Sequence, residues 1–364
     1  MMSEQEYYVG GIQQVGIGVD SLKKAVGWYA SILGFDVPLF RKKLAALFMT
    51  SYTAGEVQEG DTAVLFNLKG GGGLEIWQLT RKHIAYPYHQ LMIGDTGIYS
   101  VKLKTPIIYQ GYDSLFSKDI AIYNEAIEDP RGVPHFFLSD IYGNVFDVVQ
   151  HNHWLTERQR KHRPKNGGVC GINIGVTDID RSLFLYQDIL GYKDIVFDEQ
   201  DVFEDFRFLP GGKQRYRRVL LESKTVGPFS TLIGPSSIEL IQPLDRTPQR
   251  IFRGRLWGDC GFIHVCFDVR GIDILKKRCE EAGILFTMDN RKSFTMGGTI
   301  GQFAYIEDPD GIMIELIEAY SIPVYKNWSI DLHAKKYTEN IPSYLIKLLA
   351  LKRLPIKRGK IIFS

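Results

Sequence analysis

The chain is poor in cysteine. Its 364 residues hold four, Cys170, Cys260, Cys266 and Cys279, with no Cys-x-x-Cys pair. That pattern gives neither a disulfide framework nor a thiolate zinc site. It is also poor in net charge: 44 basic against 42 acidic residues leave +2. A balance so near neutral supplies no general attraction for nucleic acid or a membrane surface. No apolar run reaches membrane-spanning length, and the opening MMSEQEYYVGG lacks the basic and apolar regions of a secretory signal. The expectation is a reduced, soluble, cytoplasmic protein. What is present is a globular composition, 45% hydrophobic and 24% charged, in a chain long enough for two cores.

The chain also repeats itself. Residues 14–35 (QVGIGVDSLKKAVGWYASILGF) and 171–192 (GINIGVTDIDRSLFLYQDILGY) share Val-x9-Tyr-x3-Leu-Gly-aromatic, so that Val19, Tyr29, Leu33 and Gly34 answer Val176, Tyr186, Leu190 and Gly191. A second pair sets Gly94-Asp95-x-Gly97-Ile98-x-Ser100-Val101 against Gly258-Asp259-x-Gly261-Phe262-x-His264-Val265. Both halves close on similar segments, Asp140-x2-Gly143-x3-Asp147 and Asp308-x2-Gly311-x3-Glu315. Repetition at this spacing marks four related modules in two halves.

Each module opens with alternation, as in Gln14 to Val19, where branched residues take one face and small or polar ones the other. A helix follows: Leu22, Val26, Tyr29 and Leu33 share one face, as do Ile179, Leu183, Tyr186 and Leu190. Gly34 and Gly191 fall where a helix end favours glycine. Further strands end at 74–79 and 238–242, and Asp308-Pro-Asp-Gly311 is turn chemistry before a last strand over 312–318. The fold class expected is α+β: four β-α-β-β-β modules forming two cups. The first half spans 10–153 (modules one and two) and the second 168–322 (modules three and four). Between them 154–167 is a polar, basic linker, taken as a solvated connection. A basic tail, 323–364, carries a helix that Asn340 would cap, with Leu345, Leu348, Leu349 and Lys352 on one side. Docking on the second half is favoured over lying on an anionic membrane.

Through V-G-I-G-V-x9-Y-x3-L-G-F, G-F-I-H-V-x-F-x-V and D-P-D-G-x3-E-L, the stretch from about 12 to 320 resembles the vicinal oxygen chelate superfamily of glyoxalases, bleomycin-resistance proteins and extradiol dioxygenases. In that family two modules form a cup whose floor holds a divalent metal, with ligands from the first and last strand of each module. Position by position, the resemblance offers Gln14 and Glu75, Ser100 and Asp147, Gly171 and Glu239, then His264 and Glu315. If neighbouring modules pair, His264 and Glu315 share a cup with Gly171 and Glu239. Gly171, which has no donor atom, then stands where a dioxygenase needs histidine. If first pairs with fourth, the set Gln14, Glu75, His264 and Glu315 matches the ligands of eukaryote-like glyoxalase I, and Ser100, Asp147, Gly171 and Glu239 form a dead cup. The second pairing is the more economical, and Glu239 remains the alternative ligand under the first.

The chemistry implied is that of a metal-dependent lyase or isomerase working through an enediolate on a small carbonyl compound. Glu315 would be the catalytic base, and the metal Zn²⁺, Ni²⁺, Mn²⁺, Mg²⁺ or iron. A ring-cleaving or hydroxyphenylpyruvate-type dioxygenase is one alternative. A sequestering protein of the bleomycin-resistance kind is the other. The partner expected is a small-molecule substrate, with neither nucleic acid nor membrane. Weaker features are the glycine run 70–73, read as a flexible hairpin rather than a phosphate loop, and His151 with His153, read as surface residues rather than ligands. Trp77, Phe303 and Tyr305 are candidates for a pocket wall.

Overall fold

The structure, a computed structural model, describes residues 7–81, 83–118, 120–156, 163–296, 299–325, 330–333, 340–357 and 360–361. The first module runs β1 (Tyr8–Gly18), α1 (Leu22–Trp28), β2 (Val37–Ala46), β3 (Gln58–Phe66) and β4 (Gly73–Leu79). The second contains β5 (Gly97–Thr105), α2 (Ile108–Phe116), β6 (Ile127–Glu128), β7 (Pro134–Ser139) and β8 (Val145–Gln150). The third contains β9 (Val169–Gly175), α3 (Ile179–Leu183), β10 (Asp194–Asp201), β11 (Tyr216–Ser223), α4 (Ser230–Ile233) and β12 (Ser236–Pro243). The fourth contains β13 (Gly261–Arg270), α5 (Ile272–Glu281), β14 (Met288–Met296), β15 (Thr299–Glu307) and β16 (Met313–Tyr325).

Two curled sheets result. One has the order β14-β15-β16-β13-β1-β4-β3-β2, with β17 (Ile330–His333) added beside β16; the other is β10-β11-β12-β9-β5-β8-β7-β6. Within each module the first strand lies parallel to the last, which the intervening helix makes possible by carrying the chain back. Between modules the first strands meet antiparallel, β1 with β13 and β5 with β9. Modules one and four therefore build one cup, and two and three the other. Neighbour pairing is ruled out by this register.

Consecutive modules are joined differently. Tyr29 and Tyr186, the tyrosines of the repeated motif, are fully buried on π-helical turns that continue α1 and α3. Tyr29 donates to Asp140 Oδ2 at 2.6 Å and Tyr186 to Asp308 Oδ2 at 3.2 Å. Each helix thus grips the turn before the last strand of the next module. Gly34 and Gly191 follow in left-handed backbone (φ 86° and 75°), as expected of helix ends.

The glycine run 70–73 is not a flexible hairpin. All four residues are buried, and a Cβ at Gly71 would lie 2.6 Å from the Gly168 carbonyl carbon. Gly71 N–H donates to Leu232 O, and Gly72 exchanges both backbone hydrogen bonds with Val169. Glycine is required because three stretches of backbone touch here. The described ends of the linker are packed rather than solvated. Leu155 and Asn166 are buried, and Lys69 Nζ donates to the carbonyls of Pro164 and Lys165. The charge run at 157–162 lies outside the described residues.

The tail forms a single turn, α6 (Ser343–Ile346), followed by 3₁₀ structure over Lys347–Lys352. Asn340 does not cap it; its side chain accepts from Ser230 Oγ at 2.7 Å, and Pro342 occupies the cap. Ile346 and Leu349 are fully buried, whereas Leu348 faces out, because the tighter 3₁₀ winding shifts which residues share a face. The segment docks on the first cup, against Val37 and Phe66 of module one and Ile322 and Val324 of module four, not on the second half alone. Among the described residues no helix is long and apolar enough to cross a membrane.

Candidate metal centre

In the first cup, β13 and β1 run side by side with His264 opposite Gly16 and Cys266 opposite Gln14. A Cβ at Gly16 would sit inside the contact radius of the His264 ring, so the glycine on one strand creates the space the histidine of the other fills. β4 lies on one side of this pair and β16 on the other, which brings Glu75 and Glu315 toward the ring. His264 Nε2 is 3.2 Å from Glu75 Oε2 and 3.3 Å from Glu315 Oε2. One donor atom from each of the three lies within 4.8 Å of the others, all buried.

This cluster is short of hydrogen bonds. Both ring nitrogens of His264 and Glu315 Oε2 are buried without a well-aligned partner. Unpaired buried polar atoms are costly, and convergent ones of this kind are what a cation would satisfy. Burial disfavours the His264 cation, but the two carboxylates outweigh it and raise the ring to about 9. Burial also pushes the Glu75 carboxyl up, against a lowering by His264. The donor set, one imidazole nitrogen and two carboxylates with the Gln14 amide nearby, suits a borderline or hard divalent ion.

Gln14 is buried and lines an apolar cavity of about 50 Å³ that Glu75 and Glu315 also face. Its other walls include Phe40, Phe66, Phe229, Ile317 and, from the tail, Leu349. Gln13, which the sequence did not mark, lines it too, because a bulge between Ile12 and Gln14 changes the alternation of β1. On the other side of the carboxylates a wider cavity, about 170 Å³, is walled by Met49, Trp77, Trp257, Phe303 and Tyr305. Trp77, Phe303 and Tyr305 were expected there. Trp257, stacked edge-on to Trp77 with centroids 4.9 Å apart, was not; nothing in its local spacing pointed to the cup.

The second cup is different. Glu239 lies in the other sheet from His264, held by Arg218 and Lys102, and takes no part in the triad; with that, its role as alternative ligand falls. Lys102 Nζ bridges Asp147 (2.8 Å) and Glu239 (2.9 Å). His135 Nδ1 meets Asp147 at 2.8 Å and its Nε2 faces Asp205 at 3.4 Å. Arg218 closes the circuit by binding Asp205 and, through Nε, Glu239. The three cations and three carboxylates alternate in a closed, fully buried ring. Ser100 is turned aside, its Oγ accepting from Asn173 at 2.8 Å, and Gly171 contributes only space. His151 and His153 are half-buried and belong to no metal-ligand cluster among the described residues; His153 N–H donates to His151 Nδ1, and burial lowers the His151 ring to about 4.

Residues 170–316 match the family model described as Glyoxalase/Bleomycin resistance protein/Dioxygenase superfamily. No curated protein matches the sequence. Among solved structures, glyoxalase I from Zea mays is similar at 16% identity over 86% of this chain and 92% of its own, with a TM-score of 0.51. A putative dioxygenase from Bacillus subtilis is similar at 14% identity over 96% and 98%, with a TM-score of 0.56. Residues 170–316 thus carry the sequence signature of that superfamily, and the fold of the chain is similar to that of these two structures.

Proposed function

We propose that the first cup binds one divalent metal ion through Glu75, His264 and Glu315, with Gln14 as a fourth donor, and moves a proton next to a carbonyl group. The buried triad with unsatisfied donor atoms carries this reading. The ion, when bound, supplies Lewis-acid polarisation of the carbonyl oxygen. Glu315 takes the proton from the neighbouring carbon and returns it to the adjoining one, the sequence of an isomerase or lyase working through an enediolate. The two apolar cavities flanking the carboxylates exclude water and seat the body of a small substrate, a short group inside under Leu349 and a larger one against Trp77 and Trp257. A donor set with a single histidine does not supply the two histidines and one carboxylate of a non-haem iron dioxygenase.

Protein purified without chelator should carry about one divalent ion per chain, lost in His264→Ala and Glu75→Gln. Incubated in D₂O with α-hydroxy ketones and with thiol adducts of 2-oxoaldehydes, the metal-loaded protein should exchange hydrogen at the carbon beside the carbonyl. Glu315→Gln should abolish the exchange. Absence of metal from wild-type protein, even after reconstitution, would leave a sequestering protein as the reading.

A further inference from the structure

We infer that the second cup is a former metal site in which the Lys102 ammonium has taken the place of the ion. Glu239 occupies the position in module three that Glu75 holds in module one, and Asp147 the position in module two that Glu315 holds in module four. In the first cup those carboxylates converge on His264 Nε2, at 3.2 and 3.3 Å. In the second they converge on Lys102 Nζ, at 2.8 and 2.9 Å.

The substitution is matched across the strands. Lys102 sits opposite Gly171 in the β5–β9 register, as Cys266 sits opposite Gln14 in β13–β1. A Cβ at Gly171 would meet Ser237 Oγ at 2.5 Å, the Ser237 carbonyl oxygen at 2.7 Å and Lys102 Cδ at 3.0 Å, so the glycine leaves room that Ser237 and the lysine stem share. The exchange of a glutamine and a cysteine for a glycine and a lysine moves volume from one strand to the other and delivers a positive charge to the cup floor. Histidine is exchanged likewise: Ser100 and Asn173 replace His264 and Gly16, and they hydrogen-bond to each other. Asn173 Nδ2 also donates to Asp147 Oδ2 at 3.3 Å, and its Oδ1 is buried without a partner.

Two consequences follow. The second cup needs no ion to be electrically complete, since Lys102, His135 and Arg218 balance Asp147, Asp205 and Glu239. Removing the lysine should restore an oxygen-rich site for a hard divalent ion. The assignment borrows from the first cup only the matching of positions, so it is tested with that cup disabled.

Mn²⁺ binding by equilibrium dialysis and thermal unfolding would be measured for full-length His264→Ala, His264→Ala/Lys102→Ala and His264→Ala/Lys102→Ala/Glu239→Gln. We expect no ion in the first, about one per chain in the second with a rise in Tm on adding Mn²⁺, and none in the third. Lys102→Met in the same background keeps the stem that packs on Gly171 and should fold without taking up Mn²⁺. The inference is overturned if the Lys102→Ala protein folds but binds nothing, if it cannot be refolded even with Mn²⁺, or if Glu239→Gln leaves binding intact. An ion already bound in His264→Ala alone and lost with Glu239→Gln would overturn it as well. Failure of metal binding in the first cup of wild-type protein would sink the proposed function but leave these outcomes unchanged.

Discussion

At the residue scale, the candidate site depends on complementary pairs across one strand boundary. His264 stands where it does because Gly16 leaves it space. Gly16→Ala is therefore expected to leave the fold intact, displace the imidazole and weaken metal binding by roughly tenfold or more, read by competition with a chromogenic chelator. The same histidine fixes the pH dependence. With its ring raised to about 9 by Glu75 and Glu315, it holds a proton at neutral pH that an ion must displace. Metal affinity should rise about tenfold per pH unit up to 9, with proton release measurable by calorimetry in two buffers of different ionisation enthalpy. Gln14, Glu75, His264 and Glu315 were marked in the sequence as what the family resemblance implies, and the structure brings Glu75, His264 and Glu315 together. Gln13 and Trp257 were not marked. The first depends on a bulge and the second on a loop, and neither leaves a periodic trace.

At the element scale, the repeated tyrosines explain why the motif has its form. A π-helical turn brings Tyr29 onto Asp140 and Tyr186 onto Asp308, each in the turn that launches the last strand of the next module. Tyr29→Phe should cost about 1–2 kcal/mol in urea unfolding, since it strips a hydrogen bond from a buried carboxylate. Asp140 retains its bonds from Tyr142, Asn144 and the turn backbone, so the loss stays below that of a fully orphaned charge. The tail belongs at this scale too. Leu349 is fully buried and roofs the inner cavity, so Leu349→Ala should enlarge that cavity, lower stability by about 2–4 kcal/mol and let the protein accept bulkier apolar groups. Retained stability together with an unchanged ligand size limit would show that the tail is not part of the cup. An Asn340 cap and a regular helix were expected there. Proline at 342 and packing of Ile346 and Leu349 on the cup gave a single turn and 3₁₀ winding instead.

At the scale of the whole molecule, each sheet takes one module from each half of the sequence, while the helices tie each half together within itself. Neither half therefore owns a complete cup. Residues 1–156 and 163–364, expressed separately, should each be poorly folded and prone to associate, and co-expressed they should form a one-to-one complex that binds the same metal complement as the intact chain. A separately expressed half that unfolds cooperatively at full-length stability would contradict this arrangement. The buried charge ring of the second cup lies on the same seam, with Lys102, His135 and Asp147 from the first half and Asp205, Arg218 and Glu239 from the second. His135 is raised to about 9 within it, burial opposing and Asp147 prevailing. A histidine whose native pKa exceeds its unfolded one stabilises most below about 6.5 and loses that contribution as pH rises through its native value. Stability should accordingly decline between about pH 6.5 and 9, and His135→Gln should flatten that part of the profile.

The sequence by itself determined the unit and its number: strand periodicity, helix spacing, capping glycines and turn residues are local, and four copies made each legible against the others. Which positions face a cup floor came from the family resemblance laid on strand alternation, and the bulge that admits Gln13 escaped it. Which modules share a floor was decided only in the tertiary structure. Strand edges of all four modules offer the same backbone hydrogen bonds, and the choice between them rests on side chains that meet across a boundary: His264 over Gly16 in one sheet, Lys102 beside Gly171 in the other. Those residues stand far apart along the chain, and no local pattern couples them.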